Sequence, residues 1–246
     1  MIQKPENSQI AESTISKVAE VVFSSQIDNA ESLDIRVKVD TDRIISGQVD
    51  EIYVDSTDLS VSPNISMTSL DIQLNEVQVN PWKAVLGNAE LSQPTSGYTE
   101  IILGEGDIAR VLSSQKILEE LRDRREIAGT STQELEIADL SCQLSEKGQL
   151  TVKGNGVRSQ AGDSIPISFE TSLKFDAGRI ILKELNLDTT DELSEQLTRF
   201  AVEKTEAFLN LQYFTLEGVM VTVERLEFMA RQMKFCARVD VEQIPE

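Results

Sequence analysis

Four stretches of this chain alternate apolar and polar residues, break step, and resume on the opposite parity. Leu70, Ile72 and Leu74 give way to Val77 and Val79, and Leu135 and Ile137 to Leu140, Cys142 and Leu144. Ile180 and Leu182 are followed by Leu185 and Leu187, and Val221 and Val223 by Leu226 and Phe228. Side chains of a strand alternate between its two faces, so a lost step would turn the second half of each strand onto the wrong face. An extra residue in a β-bulge absorbs the step while bending and twisting the strand. Four such steps predict long strands bent at a common level of one strongly curved antiparallel sheet, the geometry by which a sheet wraps a groove.

The remaining pattern supplies helices and turns. Ile15, Val18, Ala19, Val22 and Phe23 share one stripe of a predicted amphipathic helix over 8–27, with Asn7 or Ser8 as its cap. Leu33, Ile35, Val37 and Val39 alternate with charged residues as a half-buried strand. Gly104-Glu105-Gly106-Asp107 reads as a turn whose Asp107 caps a single helix bearing Ile108, Val111, Leu112, Ile117, Leu118 and Leu121. Strands follow over 134–145, 149–156, 164–175 and 179–188, with glycine turns at Gly148 and Gly178. Thr189 and Glu192 predict a capping box for a helix over 190–211, and strands over 216–228 and 233–242 end the chain. Without a linker rich in Pro, Gly or Ser, residues 1–246 read as one domain behind a flexible 1–7. The fold class is α+β, a long bent antiparallel sheet wrapped around amphipathic helices, with 8–27 and 190–211 on its concave side.

Composition then removes whole classes of chemistry. With 23 Lys plus Arg against 42 Asp plus Glu, the formal charge is −19, which repels nucleic acid. Histidine is absent, so no Ser-His-Asp or Cys-His triad and no His-ligated metal site can form. The acids (Asp28, Asp40 with Asp42, Asp55 with Asp58, Asp188 with Asp191 and Glu192) do not match a calcium loop and read as solvated or capping groups. The Gly104–Asp107 stretch lacks the lysine of a phosphate loop and carries two acids of its own. Cys142 and Cys236, far apart, read as reduced thiols. No metal, no cofactor and no enzymatic activity are expected. The first seven residues do not resemble a secretory signal and no run reaches the ~20 apolar residues of a membrane span, so a cytoplasmic protein is expected, compatible with peripheral association at a membrane.

Two features point to a ligand. The inward parities of the longest strands, Leu70, Ile72 and Leu74 with Ile167, Phe169 and Leu173, would line an apolar groove that Ile108, Val111 and Leu112 close on one side. Trp82, beside Pro81, is either a wet lip of that groove or a plug at the end of the core. The basic cluster Arg122, Arg124 and Arg125 either complements a helix C-terminus or meets an anionic headgroup.

Several segments carry a family resemblance: IAESTISKVAEVVFSSQI (residues 10–27), LDIRVKVDTDRIISGQVDEIYVDSTDLSV with its Ile45-Ser46-Gly47 step, SLDIQLNEVQVNPWKAVLG, YTEIILGEGDIARVLSSQKILEEL and the closing FTLEGVMVTVERLEF. Together they resemble the LmeA-like phospholipid-binding family, common in cyanobacteria and actinobacteria, and look like a cyanobacterial-type member. The resemblance implies a lipid-binding module with the wrapped-sheet-and-helix shape of tubular lipid-binding proteins. The expected function is non-enzymatic phospholipid binding or transfer through an apolar groove, with a lipid or membrane surface as partner. The alternative is an acidic protein-binding scaffold or assembly factor whose apolar interior is a closed core.

Overall fold

The computed structural model describes residues 24, 27–40, 43, 46–62, 65–80, 90–124, 126–127, 130–131, 135–158, 163–214 and 218–243. The expected 8–27 helix lies outside these residues except for Ser24 and Ile27, and Ile27 packs against the core. In chain order the first strands are β1 (Ser32–Lys38), β2 (Gln48–Ser62), β3 (Ile65–Gln78) and β4 (Thr95–Gly104), followed by helices α1 (Glu105–Leu112) and α2 (Gln115–Arg122). Two short strands, β5 (Glu126–Ile127) and β6 (Thr130–Ser131), precede β7 (Leu135–Leu144), β8 (Gln149–Arg158), β9 (Ser164–Asp176) and β10 (Arg179–Leu187). Helix α3 (Glu192–Leu209) leads to β11 (Val219–Met229) and β12 (Gln232–Val241).

The long strands form two antiparallel sheets, where the alternation had suggested one. Six strands lie in the order β1-β2-β3-β4-β12-β11 and four in the order β10-β9-β8-β7, while β5 and β6 pair only with each other. The parity steps are real irregularities divided between these sheets. Pairing shifts between Ala138 and Ser141 of β7, between Lys183 and Asn186 of β10, and between Val223 and Arg225 of β11. Asp139 and Glu184 sit at φ 53° within the steps; Glu76 of β3 is also at 53°, but the β2–β3 pairing runs unshifted past it, from Asn75–Glu51 to Val77–Val49, and shifts instead between Ser60 and Ser62. The extra residue returns Cys142 and Leu144 to the core that Leu135 occupies, and Leu226 and Phe228 to the one Val223 packs against. Leu185 departs from the expected parity and stays exposed. Alternation specifies which face a side chain takes and leaves the neighbouring strand open, which is why one sheet and two sheets look alike in sequence.

The helices differ from expectation in their boundaries. The single helix expected after Asp107 is two, because the Ser113 hydroxyl donates to the Ala109 and Arg110 carbonyls (2.9 and 3.2 Å) at the end of α1, and Ser114 accepts the Ile117 amide (3.3 Å) to start α2. Asp191, rather than Thr189, caps α3 by accepting the Ser194 amide at 2.9 Å. At its other end Asn210 accepts the Ile180 amide (2.9 Å) and donates to the Ile180 carbonyl (3.0 Å), tying α3 to β10. Leu193, Leu197, Phe200, Ala201, Phe208 and Leu209 form its buried stripe, in one cluster with α1, α2 and both sheets. Each such fully buried side chain contributes ~1.5–3 kcal/mol.

The junction of β4 and α1 is the most heavily bonded point of this core. Asp107, fully buried, accepts the Gly104 amide (2.8 Å), the Ser66 hydroxyl (3.0 Å) and the Thr68 hydroxyl (2.8 Å), and pairs with Arg110. It thus stands at the third position of α1 and reaches back to the cap, which is Gly104. Two residues earlier, Glu105 accepts the Leu144 amide of β7 at 2.7 Å and pairs with Arg231 at 2.9 Å. Asp107→Ala leaves two hydroxyls and an amide without an acceptor in a dry site, and the expected loss is about 3 kcal/mol or more. Urea denaturation checks this, with Asp107→Asn recovering part of the loss because its carbonyl oxygen still accepts.

Candidate functional site

The strand register places three of the sequence-predicted lining residues, Leu70, Ile72 and Leu74, on the core-facing side of the six-stranded sheet. Leu59, Ser56, Val54, Ile52 and Val49 of β2 stand opposite Met67, Leu70, Ile72, Leu74 and Val77 of β3. The row continues through β4 and β12: Leu70 faces Ile101 and then Phe235, Ile72 faces Thr99 and then Ala237, and Leu74 faces Gly97 and then Val239. Gly97 is required here, because a Cβ at this position would come within 2.0 Å of the Gln73 carbonyl oxygen and 2.9 Å of Leu74 Cδ2.

Along this face the two ends differ. At the end where β4 runs into α1, Leu59, Met67, Leu103 and Met233 are at most 3 % exposed and join the main core. Ile108, Val111 and Leu112 of α1, and Ile167, Phe169 and Leu173 of β9, are in the same cluster and equally closed to solvent. The structure therefore brings these six predicted residues together, inside sealed packing. At the other end, Ile35, Ile52, Ile72 and Leu74 face the same way and are only half-buried. A second, small cluster of Val37, Val39, Val49 and Val77 sits there, with Leu74, Ile52 and Ile35 packed against it. Leu70 stands at the border, half-buried and touching the main core. Trp82 lies outside the described residues.

Of the basic cluster, Arg125 also lies outside the described residues. Arg122, at the end of α2, is half-buried. Arg124 pairs with Glu203 at 2.5 Å and lies over the Phe200 ring, 4.8 Å from its centroid. Lys204 joins from α3, bonded to Glu120 (2.7 Å) and Glu203 (2.9 Å), and these acids hold its ammonium above the usual lysine range against the opposing effect of burial. Arg124 and Lys204 thus form ion pairs that hold the end of α2 against α3, with carboxylates already on both cations. A polar recess of about 380 Å³ opens beside the start of α3, lined by Arg158, Asp163, Ser164, Ile165, Asp191, Glu192 and Leu193. Its carboxylates suit neither an acyl chain nor a phosphate.

The outer face of the six-stranded sheet carries a feature that alternation alone could not show. Asp34, Asp55, Asp71 and Glu100 stand directly opposite one another on β1, β2, β3 and β4. Arg36 bridges Asp34 and Asp55, and Lys234 bonds Glu100 at 2.9 Å. Asp71 takes up a proton more readily than an ordinary aspartate: burial, then its hydrogen bond to Asp55 and the charges of Asp55 and Glu100, raise it to about 6. Asp55 is lowered, first by accepting that hydrogen bond and then by Arg36, against its own burial. Cys142 is buried, and burial pushes its thiol up to about 12; Cys236, also free, lies beside Arg225 and Glu100. Among the described residues no three acids, cysteines or histidines are placed to hold a metal, and no helix is long and apolar enough to cross a membrane.

Because Asp71 binds its proton more tightly folded than unfolded, its stabilising contribution is complete below about pH 3.8 and is lost as the pH rises through about 6. Asp71→Asn keeps a donor toward Asp55 without the ionisation. Its melting temperature relative to the unsubstituted protein should therefore climb between about pH 4 and about pH 6.5 and level off above. Thermal unfolding of both proteins across that range checks it, and a pH-independent difference would show that Asp71 ionises as an ordinary aspartate.

A family model described as LmeA-like phospholipid-binding matches residues 7–237. No curated protein and no solved structure matches the chain. With the match running over nearly its whole length, the chain belongs to the LmeA-like phospholipid-binding family.

Proposed function

We propose, from that membership, that the chain works as one domain that binds a phospholipid and passes it on without catalysis, its acyl chains lying along the half-buried end of the core-facing side of the six-stranded sheet. The observation that carries this placement is the contrast along one face. Ile35, Ile52, Ile72 and Leu74 present apolar surface that is incompletely covered, whereas Phe169, Ile167 and Leu173 have no surface left to give. A side chain with 0 % exposure has its van der Waals partners already in place, and an acyl chain there would have to displace packing at near-crystalline density. The reading thus keeps Ile72 and Leu74 as lining, takes Leu70 as the inner limit, and gives Ile108, Val111, Leu112, Ile167, Phe169 and Leu173 the role of the rigid floor. In this reading the sheet and its amphipathic helices enclose the lipid in the manner of tubular lipid-binding proteins, with Trp82 at the rim.

The headgroup belongs in water, at the surface of the domain. Arg122, Arg124 and Arg125 are the proposed cationic contact, and for Arg124 a phosphate would have to replace Glu203, an exchange of one anion for another at an exposed site. The partner is a lipid at a membrane surface, met peripherally.

Tryptophan substitutions separate floor from lining. Ile72→Trp should fill lipid space, lowering the lipid recovered per protein by several-fold with little loss of stability. Phe169→Trp overpacks a closed site and should cost ~1–3 kcal/mol while leaving lipid per folded molecule unchanged. Native mass spectrometry with lipid extraction, beside urea denaturation, reads both. If the unsubstituted protein carries no extractable lipid and Ile72→Trp destabilises as much as Phe169→Trp, the interior is closed throughout and the protein-binding scaffold takes its place.

A further inference from the structure

We propose that the corner of the six-stranded sheet where β4 begins and β12 and β11 meet it is the surface that docks on a zwitterionic phospholipid bilayer; this rests on the lipid-carrying reading above. Four large apolar side chains are exposed among the described residues, and three of them gather here: Tyr98 at 62 %, Met220 at 57 % and Val221 at 36 %. The register makes them neighbours. Tyr98 stands opposite Arg238 and Arg238 opposite Thr222; Gly97, Val239 and Val221 form the next row; Ser96, Asp240 and Met220 the one after. Three adjacent strands span about 10 Å, so the three lie close together at this edge, Tyr98 and Met220 on the outer face on either side of the Arg238–Asp240 ion pair and Val221 on the other face.

Its composition and its position both favour a bilayer. Tyr98 offers an apolar ring with a polar tip, Met220 a flexible apolar chain, and Arg238, whose side chain is 52 % exposed, a long stem with a charged head. These are the side-chain types that settle at the level of lipid headgroups. Tyr98 and Met220 project from the outer face, whereas Val221 lies on the core-facing row that runs through Val239 and Gly97 to Leu74. The exposed patch is therefore continuous, around the end of the sheet, with the half-buried apolar face on which the acyl chains are placed. A lipid leaving the bilayer beneath this corner would pass along the β11 edge by way of Val221, and the charges it meets on the outer face, Arg238 and Asp240, are paired with each other at 3.1 Å.

A second copy of the chain fits poorly. Three side chains fall well short of the ~800 Å² per partner of a stable protein interface, and two chains of charge −19 repel. The same charge sets the lipid preference: anionic headgroups would oppose approach at low salt, and phosphatidylcholine would not.

The test uses the full chain and phosphatidylcholine vesicles. Tyr98→Ser, Met220→Ser and Val221→Thr are combined, and melting temperature confirms folding. The unsubstituted protein should float with the vesicles and the triple variant at least about tenfold less, with both taking up a monomeric short-chain phosphatidylcholine equally. Adding phosphatidylglycerol should weaken flotation at low salt. As an independent reading, Tyr98→Trp should show a blue shift of emission on vesicles beyond that of the unsubstituted protein. Equal flotation of the two proteins, an unshifted Tyr98→Trp, or a dimer that the triple variant abolishes would overturn the docking corner. Uptake of the short-chain lipid is scored separately: its absence in both proteins would overturn the carrier reading, while flotation alone still decides the corner.

Discussion

The first turn of α1 holds the architecture together through two carboxylates. Asp107 gathers donors from β3 and from the end of β4, and Glu105 takes an amide from β7 and the guanidinium of Arg231 from the β11–β12 turn. A short helix of eight residues contributes little stability alone, and its position is set by these bonds and by Ile108, Val111 and Leu112 beneath it. Both sheets are referenced to that one turn. Among the described residues, the closed end of the large sheet is the one on which α1 packs.

Much of this was legible in the chain itself, because its signals are local. The parity steps at Asp139, Glu184 and Val223 marked the irregularities to within a residue or two, since a face assignment cannot survive an unaccounted residue. The hairpin turns were legible for a related reason: Gly148 and Gly178 take φ 75° and 81°, a region in which other residues are strained. The strand order was not legible, because nothing in an alternating strand names its neighbour. Nor was the division of the apolar face into closed and half-open ends. Ile72 and Phe169 look alike in sequence, and among the described residues α3 packs on the strand of Phe169. The break at Ser113-Ser114 carried a usable signal, two serines able to end one helix and begin another, which a continuous apolar stripe outweighed.

Electrostatics and apolar surface divide the large sheet between them. Its outer face is a ladder of carboxylates balanced by Arg36, Lys234 and, below about pH 6, a proton on Asp71, and its core-facing side carries no charge along the central rows. A carrier of lipids needs such a separation: an exterior that repels unspecific partners and an interior that makes no polar demand on an acyl chain.

The bulges have a consequence for how the length of this chain can change. Each is a counted residue that keeps the two halves of a strand facing the same core. Deleting Asp139 or Glu184 would not shorten a strand harmlessly; it would rotate every side chain beyond that point from core to solvent, Cys142 and Leu144 in one case and Leu187 in the other. Substitution at these positions changes one side chain, whereas insertion or deletion rewrites a whole face. Changes of length are therefore tolerated in the connections between strands rather than within them, and the spacing from each bulge to the turns on either side specifies the fold more tightly than the residues that occupy it.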